Sequence, residues 1–414
     1  MSRGCEGALR PPCPIAARRC RRAQAALLHA ALLHAALLIA ACILSSDLAA
    51  AVIRVGPGEA FTRIADAAKA ARDGDIVEIL PGEYRGDVTV WHQKRLLIRG
   101  MGERPVLIAD GKNAEGKAIW VIRNGDIRIE NIAFQGARAA DGNGAGIRFE
   151  RGRLEVSNSS FVDNQIGLLT ANFEEAELII RDSLFAQAPR QTQPLPHLLY
   201  VGRIARFEIS GSRFHQGYHG HLLKSRARHN DIRYNLLFDG PAGEASYEID
   251  LPNGGLAFVI GNIIGQSAHT QNPVVVSYGA EGEAWPDSAL YLSHNTLLSD
   301  RLTGTWFLRT FTDRLPGNVE VLGINNITAG IGAFTLAASG EFRGNVPLPP
   351  GGLLAPDALD FRPHGAKLLR HLTTPAGSAR GVSLVPEAEF ALPIGTRPLA
   401  PSPSGLPGAL QNDF

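Results

Sequence analysis

The sequence has no cysteine beyond residue 42: its four cysteines, Cys5, Cys13, Cys20 and Cys42, all lie in the first 51 residues. The rest of the chain therefore needs neither disulfides nor a thiolate metal site. An excess of charge is also lacking. Six of the 41 basic and two of the 40 acidic residues lie in the leader, so the remainder carries a net charge of −3. Because there is no basic field, we expect no nucleic-acid partner.

The first 51 residues have the order of an export signal. Six arginines precede an apolar run at 26–44, and small residues follow it. We expect a signal peptide over 1–51, whose removal leaves a periplasmic or extracellular chain without a transmembrane segment. The alternative is a bacterial lipobox at 39–42, which would leave the protein anchored to the envelope by a lipid on Cys42.

One short phrase recurs eight times between residues 129 and 328, and each copy is an apolar run that turns at Asn, Asp or Gly. The copies are IENIAF, VSNSSF, IRDSLF, ISGSRF, IRYNLLF, VIGNII, LSHNTLL and GINNIT, with turn residues Asn131, Asn158, Asp182, Gly211, Asn235, Asn262, Asn295 and Asn325. A period of about 24–33 residues with several β-runs per copy predicts stacked coils, and helical repeats do not fit the alternating Ile, Val, Phe and Leu. The repeat therefore predicts an all-β parallel β-helix, in which Asn tolerates the left-handed turn and bonds to the Asn of the next coil.

The start of the chain after the leader predicts a helix and a first coil. Residues 61–72 place apolar side chains on one helical face. The segment IADAAKAARDGDIVEILPGEYRGDVTV (64–90) resembles the N-terminal cap of exported bacterial right-handed parallel β-helix proteins of the pectate-lyase-like superfamily. This resemblance implies a single-stranded right-handed solenoid over 52–345 with a short N-terminal capping helix. We expect the Pro- and Gly-rich residues 346–414 to run as a tail along the solenoid of a monomer.

Strands upstream of each turn can be aligned between coils. The inward column of this alignment is apolar and contains Ile147, Leu199, Leu223, Ile249, Val276 and Leu308. The next residues must point outward, and they are Arg148, Leu169, Tyr200, Lys224, Asp250, Ser277 and Arg309. Polar residues are concentrated on three consecutive coils, so the alignment predicts a polar groove on the outer face.

The residues of this groove suggest an elimination on an acidic polysaccharide. A lyase must neutralise the uronate carboxylate, remove the C5 proton and protonate the leaving oxygen. The candidate catalytic residues are Tyr200, His221, Lys224, Arg226 and Asp250, and the candidate substrate-binding residues are His197, Ser277, Trp306 and Arg309. Glu248 lies two residues before Asp250, so we expect both on one face, where they and Asn253 would hold calcium. Superfamily lyases often combine Lys or Arg with calcium-binding carboxylates, which is consistent with these roles.

Two other functions fit the same residues. A glycoside hydrolase would use Glu248 and Asp250 as its carboxyl pair, since residues two apart on a strand are separated by about 6.6 Å. A non-catalytic carbohydrate-binding or surface protein would use the groove for binding alone. In the simplest interpretation, Lys224 and Asp250 are only an ion pair that keeps adjacent coils in register.

Overall fold

The structure is a computed structural model that describes residues 50–270, 272–336, 339–400 and 405–412. The predicted signal peptide and the lipobox alternative at Cys42 lie outside the described residues. Residues Ala51–Phe414 form one compact unit. No helix in the described part of the chain is long and apolar enough to cross a membrane.

The protein is a right-handed parallel β-helix whose coils contribute strands to three long parallel sheets. Sheet 1 has twelve strands: Val52–Val55, Ile76–Ile79, Arg95–Gly100, Asp126–Glu130, Arg153–Ser157, Phe173–Arg181, Ile204–Ser210, His229–Arg233, Leu256–Ile260, Ala289–Ser293, Glu320–Ile324 and Glu341–Arg343. Sheet 2 has eleven: Glu83–Arg85, Val106–Ile108, Ala133–Gln135, Ser160–Val162, Leu184–Ala186, Arg213–His215, Leu236–Phe238, Ile263–Gln266, Thr296–Ser299, Ile327–Ala329 and Val346–Leu348. Sheet 3 has ten: Thr89–Trp91, Ala118–Ile122, Ala145–Phe149, Ile166–Thr170, His197–Val201, Leu223–Ser225, Ile249–Leu251, Val274–Tyr278, Thr305–Thr310 and Gly332–Ala333. The predicted fold class is confirmed.

A helix, Ile64–Ala70, lies within the predicted range 61–72. It buries Ile64, Ala67 and Ala68, three residues of its apolar face. The backbone N–H groups of Ile64 and Ala65 donate to the two carboxylate oxygens of Asp87, at 2.6 and 3.0 Å. A buried carboxylate thereby satisfies two N–H groups that the first helical turn leaves without partners.

The interior is built from side chains that stack from coil to coil. Four phenylalanines of sheet 2, Phe134, Phe161, Phe185 and Phe214, form a ladder with centroid separations of 5.1, 4.7 and 4.8 Å. Each ring is essentially buried. Aromatic contacts of this kind add about 0.5–1.5 kcal/mol per pair to the burial of the rings, so the ladder stabilises the spacing of the coils.

The turn between sheets 1 and 2 contains two columns of residues, which the sequence alignment merged into one. The left-handed position is held by Asn131, Asn158, Asp182, Gly211, Tyr234, Gly261, His294, Asn325 and Gly344. The asparagine ladder lies one residue later and contains Asn235, Asn262, Asn295, Asn326 and Asn345. The placement of Asn325 in the same column as Asn235 is therefore wrong. A left-handed residue sets the turn, while its neighbour points inward and donates its amide to the next coil at 2.8–3.0 Å.

The segment after residue 348 packs against the solenoid. It contains three antiparallel strand pairs, Leu353–Ala355 with Asp360–Pro363, Ser378–Ala379 with Val382–Ser383, and Ala388–Phe390 with Thr396–Pro398, and the short helix Ala366–Leu369. Two 3-10 turns of this segment cover Pro356–Ala358 and Arg370–Leu372, and a third, Thr312–Arg314, follows the sheet 3 strand Thr305–Thr310. Phe361 packs edge-on against Phe238 of sheet 2 at 5.1 Å. The backbone N–H of Gly395 donates to the carbonyl of Gly211 at 2.8 Å, so this segment also contacts the turns.

Candidate functional site

The outer face of sheet 3 carries the polar column that the sequence predicted. The strand register aligns Arg148, Leu169, Tyr200, Lys224, Asp250, Ser277 and Arg309 on successive coils. The inward column, Ile147, Leu199, Leu223, Ile249, Val276 and Leu308, is fully buried. Both predicted alignments are confirmed. The register thus brings five polar side chains, from Tyr200 to Arg309, into one row along the solenoid.

Lys224 lies at the centre of a buried charged cluster. Its ammonium is 3.3 Å from Asp250 Oδ2 and 2.9 Å from Glu281 Oε1. Asp250 Oδ2 is also 3.4 Å from His221 Nε2. Because the side chains of Lys224 and Asp250 are only 9 and 3 % exposed, this contact differs from the solvent-exposed ion pair of the simplest interpretation.

Arg226 extends the cluster toward the end of the strand. Its Nε donates to Tyr200 Oη at 3.0 Å, and its Nη1 donates to Asn253 Oδ1 at 2.6 Å. Its Nη2 forms a salt bridge with Glu281 Oε2. One carboxylate, that of Glu281, is therefore shared between Lys224 and Arg226, with one oxygen on each cation.

Glu281 is the member of the site that the sequence analysis missed. It belongs to a covering loop (279–287) that follows the strand Val274–Tyr278 and folds back over the face of sheet 3. Its carboxylate reaches residues 57 and 55 positions earlier in the chain. A loop residue has no place in the coil-to-coil alignment, so the only sequence signal was the density of acidic residues in AEGEAWPD.

The covering loop is fixed to the coils by its aromatic residue. The guanidinium of Arg203 lies 3.9 Å from the centroid of Trp285, and that of Arg228 lies 6.0 Å away. Trp285 Nε1 donates to the carbonyl oxygen of Arg226 at 2.9 Å. Arg228 also forms a salt bridge with Asp287 at 3.1 Å. These contacts place the loop, and hence Glu281, above Lys224 and Arg226.

Two histidines and a tyrosine stack beside the charged cluster. The rings of His197 and His221 are 4.8 Å apart, as are those of His221 and Tyr247. The backbone N–H of His221 donates to Nδ1 of His197 at 3.0 Å, so this nitrogen of His197 is an acceptor. Burial, together with the charges of Lys224 and Arg226, lowers the pKa of His197 to about 3. Burial likewise holds the pKa of His221 well below its ordinary value, so both imidazoles are neutral at pH 7.

The pKa values of the two carboxyl groups of the site are shifted in opposite directions. Burial raises the pKa of Asp250 above its ordinary value, although the neighbouring Lys224 ammonium acts in the opposite direction. Burial also acts to raise the pKa of Glu281, but hydrogen bonds from Lys224 and Arg226 outweigh it and the pKa falls. Glu281 is therefore the firmly ionised carboxylate that neutralises the two cations.

Glu248 does not lie on the outer face with Asp250, so that prediction is wrong. Its position in the register corresponds to Leu222 and Val275, which belong to the core. At the equivalent Gly146, an added side chain would meet the phenylalanine ladder inside the solenoid. The regular alternation of the strand begins only at Ile249, so two adjacent residues, Glu248 and Ile249, both face inward. Neither carboxyl oxygen of Glu248 has a hydrogen-bond partner among the described residues.

The predicted calcium ligands do not fit a calcium ion as they are arranged. Calcium requires six to eight oxygen ligands. Glu248 lies inside the solenoid, whereas the Asn253 amide oxygen accepts from Arg226 and Asp250 Oδ2 faces Lys224. No group of three or more His, Cys, Asp or Glu side chains in the described part of the chain is arranged to hold a metal. On the outer face, the oxygen of this set without a partner among the described residues is Asp250 Oδ1, which is buried.

The remaining candidate residues lie farther along the same face. Ser277 is fully buried next to Asp250, and its hydroxyl has no hydrogen-bond partner in the described part of the chain. Arg309 is exposed on the following coil, where its guanidinium lies 4.4 Å from the ring centroid of Trp306. Since adjacent coils are separated by about 4.8 Å, Arg309 lies roughly 14 Å from Lys224. The structure thus brings Tyr200, His221, Lys224, Arg226 and Asp250 together and places Trp306 and Arg309 apart from them.

Comparison with known proteins identifies the fold. No protein-family model and no curated protein matches the sequence. The chain is similar in structure to pectate lyase Pel9A, with a TM-score of 0.53, and the match covers 89% of this chain and 98% of the lyase. Sequence identity over this match is 12%. A second similar structure, ORF18 of Geobacillus virus E2, has a TM-score of 0.39 with 11% identity over 66% of this chain and 53% of the viral chain. At these identities the similarity to the lyase concerns the fold alone.

Proposed function

We propose that the protein cleaves an acidic, uronate-containing polysaccharide by β-elimination on the outer face of sheet 3. The observation that supports this proposal is the carboxylate of Glu281, which bridges Lys224 and Arg226 with one oxygen on each. Two cations fixed at this spacing recognise a carboxylate, and a uronate presents the same group. The similarity in fold to pectate lyase Pel9A is consistent with a polysaccharide as the substrate.

The first requirement of the elimination is to stabilise the negative charge that develops on the substrate. When the C5 proton leaves, charge develops on the uronate carboxylate, and preorganised cations stabilise it. Lys224 contacts two carboxylates, Asp250 and Glu281, in the structure. We therefore assign Lys224 and Arg226 to bind the uronate carboxylate in the place that Glu281 now occupies.

Two neutral groups are available for proton transfer. His221 is neutral, and its Nε2 faces Asp250, whose carboxylate would stabilise the imidazolium that forms when Nδ1 of His221, which has no partner among the described residues, accepts the C5 proton. Tyr200 receives a hydrogen bond from Arg226, which stabilises the phenolate left after the tyrosine protonates the leaving oxygen. The C4–O bond breaks, a C4=C5 double bond forms, and the two protons are exchanged with solvent afterwards.

The second candidate function is binding without turnover. It uses the same groove, and because the side chains of Lys224 and His221 are only 9 and 10 % exposed, a sugar reaches them in either function only after the covering loop moves. The hydrolase alternative has lost its structural basis, since Glu248 and Asp250 point to opposite sides of the sheet.

Product analysis on a panel of uronate polymers, with and without calcium, tests the proposal. Absorbance of an unsaturated product supports the lyase, new reducing ends alone indicate a hydrolase, and retention without products indicates a binding protein. Lys224→Ala should reduce turnover by on the order of a hundredfold or more. The control is Lys117→Ala, which removes a more exposed ion pair, Lys117 with Glu150 at 2.9 Å, beside the same sheet and should leave turnover unchanged. Equal turnover by Lys224→Ala and wild type would refute the proposal.

A further inference from the structure

A second cation and ring lie on the outer face of sheet 3, away from the charged cluster. The guanidinium of Arg309 lies between two aromatic rings, 4.4 Å from the centroid of Trp306 and 4.7 Å from that of Phe311. The aromatic contacts orient the guanidinium while its side chain stays exposed. Such stacking holds a planar cation in one position without neutralising its charge.

Arg309, like Arg314 beside the same Phe311 ring, has no carboxylate partner among the described residues, whereas the arginines around the main site do. Arg226 pairs with Glu281, Arg203 with Glu174 and Arg228 with Asp287. Within the described part of the chain, Arg309 has no salt bridge to an acidic side chain. Its charge is therefore available to an external anion.

The arrangement repeats the geometry of the main site. Lys224 and Arg309 share one outward column of the register, three coils apart. His221 and Trp306 occupy the corresponding positions three residues before them, so each pair places a ring at the start of a strand and a cation after it. The stacking of coils therefore sets the two cations about 14 Å apart along the solenoid axis.

A cleft borders the ring of the second pair. It has a volume of about 330 Å³ and is lined by Pro273, Thr305, Trp306 and Leu336, among others. The covering loop continues from the opposite ends of these strands, after Tyr278, so it leaves this side open. An aromatic ring beside an open, mainly apolar cleft is the kind of surface on which the face of a sugar stacks.

We propose that Trp306 and Arg309 form a second subsite for an acidic sugar, which binds the same polymer chain as the Lys224 site and orients it along the solenoid axis. Trp306 packs against the sugar face and Arg309 binds the carboxylate. This inference rests on the proposed function for the identity of the polymer. It predicts a preference for long substrates that depends on Trp306 and Arg309, which lie outside the reacting centre.

The length of the substrate tests the subsite. Wild type, Arg309→Ala and Trp306→Ala are compared by kcat/KM on uronate oligomers from two to eight sugars. Short oligomers, which cannot span about 14 Å, should react equally with all three proteins. Long oligomers should lose about tenfold or more with each variant, since Arg309→Ala removes a charge-assisted hydrogen bond to the carboxylate and Trp306→Ala removes the ring that packs against the sugar face. Arg343→Ala, on the exposed strand Glu341–Arg343 of sheet 1, is the matched control and should match wild type at every length.

Electrophoretic retardation by immobilised polyuronate separates failure of the subsite from failure of the lyase. If wild type is retarded but makes no unsaturated product, weaker retardation of Arg309→Ala still supports the subsite while the lyase is refuted. If wild type cleaves the polymer and Arg309→Ala is unchanged at every length, only the subsite is refuted. An equal loss at all lengths also overturns it, because that result indicates a general effect on the fold.

Discussion

Replacing the buried Glu248 with leucine should stabilise the protein without loss of activity. Glu248 is fully enclosed in the solenoid, and its neighbours in the register, Leu222 and Val275, are apolar. Burial raises the pKa of Glu248 well above its ordinary value, and the nearby Asp239 acts in the same direction. In the folded protein, the two oxygens of this carboxyl have no hydrogen-bond partner among the described residues.

Two contributions determine the magnitude. Leaving the buried carboxyl without hydrogen bonds costs about 1–3 kcal/mol. A leucine in its place adds apolar burial worth about 1.5–3 kcal/mol. Allowing for imperfect fit, we expect Glu248→Leu to raise the free energy of unfolding by about 3–5 kcal/mol at pH 8.

The pH dependence of stability provides the sharper assay. A carboxyl whose pKa is raised by folding binds its proton more tightly in the folded state, so its contribution is greatest at low pH and is lost as the pH rises. Wild type should therefore become less stable between pH 5 and pH 8 in urea unfolding, and Glu248→Leu should show a smaller decrease. Burial raises the pKa of Asp239 to about 7, so Asp239 contributes part of this decrease in stability in both proteins.

An exposed glutamate provides the control for Glu248→Leu. Glu103 is exposed, so Glu103→Leu should change the free energy of unfolding by less than about 0.5 kcal/mol. If Glu248→Leu abolished activity in a folded protein, Glu248 would take part in catalysis or metal binding, and its assignment to the interior would be wrong. Loss of stability would equally contradict the reasoning.

Three further predictions concern the site and the turns. Glu281→Gln removes the charge that occupies Lys224 and Arg226, so KM for acidic polymers should fall several-fold with kcat retained; a loss of kcat would instead make Glu281 catalytic. The acid limb of the kcat/KM profile should lie below pH 6.5, because burial lowers the pKa of His221, and His221→Gln should abolish this limb together with most activity. Asn262→Ala breaks two ladder bonds of 2.9 and 3.0 Å and should reduce the free energy of unfolding by about 2–4 kcal/mol in urea titrations; an unchanged urea midpoint would contradict a stabilising role for the ladder.

The fold was predictable because the solenoid repeats its chemistry in every coil. Inward residues recur at a fixed place in each strand, so the columns of Leu223 and Ile249, and of Lys224 and Asp250, follow from alignment alone. The turn was harder to predict, because the left-handed position and the inward ladder position are adjacent and Asn is favoured at both. Where the left-handed residue is Tyr234 or His294, the sequence gives no sign that the turn begins one residue before the ladder.

The site was predictable only where it follows the same repeat. Lys224, Asp250 and Tyr200 lie on aligned strands and were found. Glu248 was misplaced because period-two alternation assumes a regular strand, whereas the strand begins one residue later. Glu281 was missed because a loop returns it to the face from outside the repeat. Departures from the periodic pattern, at strand ends and long loops, are therefore where sequence alignment of a solenoid fails.

These departures are also where the solenoid acquires specific chemistry. Coils that contact only their neighbours build a surface additively, so a column such as Tyr200, Lys224 and Asp250 can change without altering the fold. An aligned column alone places unlike charges about 4.8 Å apart, which favours mutual neutralisation over binding. Glu281 changes this balance, because it adds a second carboxylate to Lys224 and fixes Arg226 beside it. The position that we propose for a substrate carboxylate is thus defined by Glu281, which lies outside the repeat.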